Sequence, residues 1–329
     1  MTQNHTGLRA VLSFCFASAV LSAGSVKLER HQDQIAVLID GRLFTTYYLA
    51  AETAKPYLMP LQTASGVVVS RSFPAGNDVL GTNPRNPSFE PHQRPLYFAH
   101  GNLDGLDYWG EQAFDRFYDD HAHQAYGHAR LKAVDEQAES ADRATVQARY
   151  QLLDPNEREI AEETQSYTFS GDERTRIIDC EFVLHATAGP LVAGDTKGGT
   201  FGIRLNAELS APHDHMLNSL GSRGEKAIWG KPAEWVNYSG LVSGKPVGIA
   251  VFDSPSSFRH PTPWHARAYG LLAANPFAQR EFSKDPKQDG SWTIPEGQSL
   301  AFRYRVVIYD GELSAGQLAD MYRQYASVK

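Results

Sequence analysis

Two stretches of the chain crowd together side chains that move protons and grip oxygen atoms. The first, Pro91-His-Gln-Arg-Pro-Leu-Tyr-Phe-Ala-His-Gly-Asn-Leu-Asp-Gly-Leu-Asp-Tyr-Trp109, sets His92 and His100 among Arg94, Asp107 and Trp109. The second runs from Arg259 to Phe277 and holds His265 between Trp264 and Arg267, with Tyr269 and Asn275 beyond. Imidazole suits acid–base work because its ordinary pKa lies near neutral pH. Guanidinium groups bind hydroxyl or carboxylate oxygens, and an aromatic ring covers the apolar face of a sugar. Pro261 and Pro263 stiffen the approach to His265, and on a strand Arg267 and Tyr269 share its side. Loops from distant parts of a sandwich gather at the sheet ends. The two stretches are therefore expected to meet in one sugar site, with His100 and His265 as the proton-transfer pair and His92 as a third candidate.

Other candidates lie between them. Lys197, in Gly194-Asp-Thr-Lys-Gly-Gly199, reads either as a site cation or as a solvated turn, and the glycine pair lacks the spacing of a phosphate loop. Arg204, in the apolar run Thr200-Phe-Gly-Ile-Arg-Leu205, needs an acceptor, which is a buried partner or a substrate. Trp235 joins Trp109 and Trp264 as a ring able to stack on sugar. His213-Asp-His215 carries alternate imidazoles that suit a metal on a strand, but Pro212 and the polar context point to an exposed loop. His121, His123 and His128 receive no role. With no defined carboxylate pair, ordinary glycosidase chemistry does not follow. Three function classes stay open. The first is an enzyme using His acid–base chemistry on a saccharide, whether hydrolase, lyase or isomerase. The others are a non-catalytic carbohydrate-binding protein, and a metal-dependent enzyme using His92, His100 or His265 with Asp107. No cofactor is expected outside that third class.

These residues need a scaffold, and the alternation of apolar and polar side chains supplies one. Ile35 to Ile39 and Leu43 to Leu49 flank Asp40-Gly41, the dipeptide of a tight hairpin. Residues 73–95 carry Pro, Gly and Asn in a density that breaks both helical and strand periods, predicting a long loop. Four long strands are expected at 127–138, 143–153, 157–169 and 174–186, with Asp154-Pro-Asn-Glu157 and Ser170-Gly-Asp-Glu173 as turns. Another covers Leu300 to Tyr309. Ser314 is the expected N-cap of a closing helix, with Gln317 in the capping-box position and Leu318, Met321, Tyr322 and Tyr325 as its apolar stripe. No Pro/Ser linker interrupts residues 24–329, so the reading is one all-β domain, a large antiparallel two-sheet sandwich.

Residues 1–23 follow the order of a signal peptide: Arg9, the apolar run Ala10 to Leu21, and a small-residue exit near Ala23. The expectation is a periplasmic or secreted protein without membrane insertion after cleavage. Cys180 is then the single remaining cysteine, which excludes an internal disulfide. A net charge of −7 without a basic run argues against a nucleic-acid partner and leaves a carbohydrate ligand as the expected one.

The chain also resembles an exported bacterial family often labelled PmoA-like. The likeness rests on Pro91-His92, Phe98-Ala-His-Gly101, Asp107-Tyr-Trp109, the 194–199 motif, Ile228-Trp-Gly-Lys231, Trp235-Val-Asn-Tyr-Ser-Gly240, His260-Pro-Thr-Pro-Trp-His265, Tyr269-Gly-Leu271 and Asn275-Pro-Phe277. It implies a secreted β-sandwich akin to those of sugar mutarotases and some polysaccharide lyases. It does not imply the apolar helical bundle of a methane oxygenase subunit, since no such helices are present. The family commonly has a His pair after the proline. Here Gln93 fills the second place, which bears on any chemistry needing both imidazoles.

Overall fold

The structure, a computed structural model, describes residues 24–50, 53–74, 90–117, 125–210 and 216–327. The leader, most of the Pro-rich loop, His121, His123 and the His213/His215 pair lie outside the described residues. Alternation builds two eight-stranded sheets. The first runs in spatial order through Val26–Arg30, Gln34–Ile39, Arg42–Tyr48, Tyr57–Met59, Leu96–His100, Gly199–Arg204, Leu271–Ala274 and Trp264–Ala266. The second runs through Met216–Asn218, Trp235–Val242, Lys245–Asp253, Ser299–Asp310, Thr175–His185, Glu159–Gly171, Arg143–Leu153 and His128–Glu139. The expected long strands are thus all present and lie side by side in the second sheet. Asp40 and Gly41 take φ of 54° and 71°, the left-handed values that a two-residue hairpin turn of this kind requires.

The sheets pack face to face through rings. Phe98 of the first sheet stacks on Phe182 at 4.4 Å and contacts Phe302 at 5.3 Å, and Phe201 stacks on Tyr304 at 4.8 Å. Full burial of such side chains stabilises the fold by roughly 1.5–3 kcal/mol each. A buried polar seam crosses this core: Tyr150 Oη donates to Tyr47 Oη at 2.6 Å, and Tyr47 and Tyr167 both donate to Gln165 Oε1.

The closing helix, Ala315–Ala326, has the expected capping box. Its Leu318 and Tyr322 cover the outer face of the second sheet, against Trp235, Phe252 and Val307. Among the described residues no helix is long and apolar enough to cross a membrane.

Candidate functional site

Side chains alternate along the middle strands of the first sheet, so each strand splits its residues between core and outer face. In Leu96–His100, Phe98 and His100 point inward and Tyr97 outward. In Gly199–Arg204, Phe201 and Ile203 point inward, and Gly202 and Arg204 outward. Tyr97, Gly202, Ala273 and His265 lie opposite one another in a single row across four strands. Trp109 lies over this row with its ring 4.6 Å from that of Tyr97. A Cβ at position 202 would sit 2.7 Å from the indole, so glycine is what lets the ring reach the sheet.

Next to it, guanidinium groups gather around one phenol. The Arg204 guanidinium lies 4.4 Å from the Tyr269 ring centre and that of Arg267 lies 5.3 Å from the same ring. Arg204, only 2% exposed, donates from Nη1 to Gln93 Oε1 at 2.7 Å. Burial lowers its pKa. Arg71 donates from Nη2 to the carbonyls of Glu90, at 2.8 Å, and Gln93. The Glu90 carboxylate stands 3.5 Å from His92 Nδ1, and the His92 ring is 6.4 Å from that of Trp109. Burial first, and then the Glu90 charge, raises the Tyr269 phenol. Arg267 is paired with Glu225 at 2.9 Å. The cluster opens to solvent at Glu90, 30% exposed, and Arg267, 34% exposed.

The two predicted stretches do meet, but through the Gly194–Gly199 motif. His100 Nε2 donates to the Gly194 carbonyl at 2.8 Å, Asn275 Nδ2 to that of Thr196 at 2.9 Å, and His265 Nδ1 to that of Lys197 at 3.1 Å. A carbonyl only accepts, so each of these ring nitrogens carries the proton. Burial lowers His100 to about 4, and burial with the Arg267 charge lowers His265 to about 3. Both rings are therefore neutral hooks for a loop at pH 7.

Several expectations are corrected by these positions. His100 faces the core, 4.8 Å from the Phe277 ring, whereas His265 faces outward, so the two do not form a proton-transfer pair. Asp107 accepts the N–H groups of Trp109 and Gly110, both at 2.8 Å, and acts as a turn former. Arg94 is fully buried, donating to Glu111 and to the His92 carbonyl, with Phe73 3.5 Å beneath it. Trp264 is wholly buried on the strand face opposite His265 and donates to the Ala233 carbonyl at 2.8 Å. Trp235 packs under the closing helix, on the far side of the molecule. Trp109, 7% exposed, is a packing ring with no free face for sugar, and Asn275 is consumed by the loop. His92, His100 and His265 do not converge. Among the described residues no group of three His, Cys, Asp or Glu side chains is placed to hold a metal ion. Arg204, Arg267, Tyr269 and His92 are brought together, and Lys197 stands exposed on the hooked loop.

Sequence reasoning missed Glu90, Arg71, Tyr97 and the role of Gln93. It also missed Lys55, which is buried against Glu111 at 3.3 Å and donates to the Trp109 carbonyl, with burial lowering its pKa to about 8. Lys55 carries no local signal. Gln93 stands out only as the residue following His92 in a stretch already dense in polar groups.

The chain belongs to the family of unknown function DUF6807, whose model matches residues 34–323. No curated protein sequence matches it. Among solved structures it is similar to a putative aldose 1-epimerase from Klebsiella pneumoniae, at 10% identity and a TM-score of 0.40, covering 94% of this chain and 89% of that one. It is similar to a galactose mutarotase-like protein from Clostridium acetobutylicum, at 11% identity and a TM-score of 0.38, covering 88% and 99%. It is also similar to a GH36 α-galactosidase from Geobacillus stearothermophilus, at 11% identity and a TM-score of 0.37, covering 88% of this chain. The chain spans 41% of that α-galactosidase. These likenesses concern the fold alone.

Proposed function

We propose that this protein is exported and recognises a saccharide on the outer face of its first sheet. The observation that carries the reading is the pair of guanidinium groups, Arg204 and Arg267, set about the half-buried ring of Tyr269. Arg267, 34% exposed, presents N–H donors beside that aromatic surface, and the buried Arg204 packs against the same ring, the combination that a ring bearing hydroxyl groups requires. The leader-like residues 1–23 support export. His92 next to the Glu90 carboxylate is the acid–base candidate on this face, since His100 and His265 are occupied by loop carbonyls. That occupation equally favours a second reading, a saccharide-binding protein without turnover.

Titration of purified protein with a panel of neutral and acidic saccharides tests the proposal. Arg204→Ala and Tyr269→Ala are expected to weaken binding by roughly tenfold or more, the loss typical of a hydrogen bond to a charged group. Unchanged circular dichroism is the control for folding. A panel without a ligand, or variants that bind like the parent, would sink the reading. Loss of turnover in His92→Ala with binding retained identifies an enzyme, and binding without turnover in the parent identifies the second reading.

A further inference from the structure

Beside the outer-face cluster lies a second cleft, of about 910 Å³, lined by Arg223, Gly224, Glu225, Lys226, Trp229, Lys231, Phe282, Ser283 and Lys284. Its charge runs against that of the whole molecule. The chain carries a net −7, yet this lining has four cations and one carboxylate. The carboxylate, Glu225, is already engaged by Arg267 at 2.9 Å and by the backbone N–H of Ala268 at 2.7 Å. Among the described residues, none of the four cations pairs with a carboxylate. Uncompensated positive charge in a concave surface focuses its field and draws anions.

The walls carry aromatic surface as well. Trp229 and Phe282, both half-buried, meet edge to face at 5.1 Å. Gly230, at φ 69°, permits this, because a Cβ there would lie 2.9 Å from the Phe282 side chain. The Ile228-Trp-Gly-Lys231 motif thus builds one wall of the cleft. The His265 ring lies 6.3 Å from Trp229 and 6.2 Å from Phe282, joining the cleft to the outer-face row. Among the described residues, two polar atoms at this junction, Trp229 Nε1 and His265 Nε2, have no hydrogen-bond partner.

We infer that this cleft is an anion-recognising subsite of the same saccharide site, and that the ligand bears carboxylate or sulfate groups, as a uronate-containing or sulfated oligosaccharide does. Arg223, Lys226, Lys231 and Lys284 bind the acidic groups, and Trp229 receives an apolar sugar face. The inference rests on the saccharide reading above and deepens it.

The test is equilibrium titration with three trisaccharides at low and physiological ionic strength: a galacturonate, a sulfated and a neutral one. The double variant Lys226→Glu/Lys284→Glu changes only exposed side chains and leaves the fold in place. An acidic ligand should bind about tenfold tighter than the neutral one at low salt, and the margin should shrink with salt. The double variant should erase that margin. Which acidic trisaccharide gains separates carboxylate from sulfate. Equal affinities for all three, or a margin that survives in the double variant, overturn the subsite. Binding of an acidic ligand that Lys226→Glu/Lys284→Glu abolishes and Arg204→Ala leaves intact, with no neutral binding, retains the cleft and removes the sheet-face reading. No binding of any of the three removes both.

Discussion

The outer faces of the two sheets use the same charged residue types under opposite physical regimes. On the second sheet, Asp179 and Arg305 sit directly opposite in register, as do Glu181 and Arg303, and each pair bonds across one strand gap in partial contact with water. Thr145 with Thr168, and Gln147 with Ser166, extend the same ladder. On the first sheet, Arg71, Arg94 and Arg204 are among the most completely buried large side chains in the molecule. Their partners are carbonyls, an amide and a carboxylate supplied by loops rather than by a facing strand, and in the case of Arg204 the partner is 111 residues away. A ladder pair costs little to build and contributes little when lost. A buried guanidinium is stable only while every partner stays in place. A fixed array of buried donors on this face is what the proposed saccharide site rests on.

The sharpest way to break this comparison is at Glu111, which faces two buried cations, Lys55 at 3.3 Å and Arg94. Glu111→Ala leaves both without their carboxylate and should destabilise the fold by about 3–5 kcal/mol in urea denaturation. Glu111→Gln keeps an acceptor and should cost less. A loss under about 1 kcal/mol for Glu111→Ala, the range of an exposed pair, would place both faces in one regime.

Stability against pH sharpens the comparison next, because the shifted groups are buried between or against the sheets and those of the ladder are not. His100 and His265 fall from 6.5 to about 4 and about 3 on folding. Between about pH 4 and 6.5 the unfolded chain therefore binds more protons, and stability rises with pH through that window. Glu163 moves the other way: burial raises it from 4.5 to about 8, so its contribution is present in acid and is lost as pH rises through about 8. Lys55, lowered by burial from 10.5 to about 8, adds stability again between those values. Unfolding midpoints from pH 4 to 10.5 should rise, sag toward pH 8 and recover. His100→Asn should flatten the acid limb, and an acid limb of unchanged slope would refute the assignment.

The sandwich was legible because its evidence is local. The period-two alternation, the Asp40-Gly41 turn and the Ser314 capping box each occupy adjacent residues, and the structure carries all three. Part of the site was legible too, since strand parity is readable. His100 lies two residues from Phe98 and shares its inward face, and Trp264 and His265, being neighbours, cannot point the same way. Composition groups His100 with His265, whereas strand parity sets them on opposite faces. The rest depends on contacts that no spacing announces: Lys55 with Glu111, Arg71 with Glu90, and Gln93 with Arg204. At Gln93 the amide oxygen receives Arg204, a role an acceptor fills and an imidazolium does not.

The smallest effect belongs to the ladder. Arg305 donates through Nε and Nη2 to both oxygens of Asp179, at 2.6 and 2.8 Å, with the side chains 22% and 30% exposed. The geometry is bidentate, but both groups keep water contact, and holding a long side chain in one rotamer offsets part of the attraction. Arg305 also lies over the Tyr325 ring at 4.7 Å, so Arg305→Ala loses contact with the closing helix as well as the ion pair. A double-mutant cycle with Asp179→Ala removes that second contribution and should leave a coupling of about 0.2–1 kcal/mol. Because the pair faces solvent, added salt should shrink the coupling, whereas the loss at Glu111 should hardly respond. A coupling above about 2 kcal/mol, insensitive to salt, would mean that the second sheet also holds its charges as a buried array, and the contrast between the two faces would no longer favour the first as the proposed site.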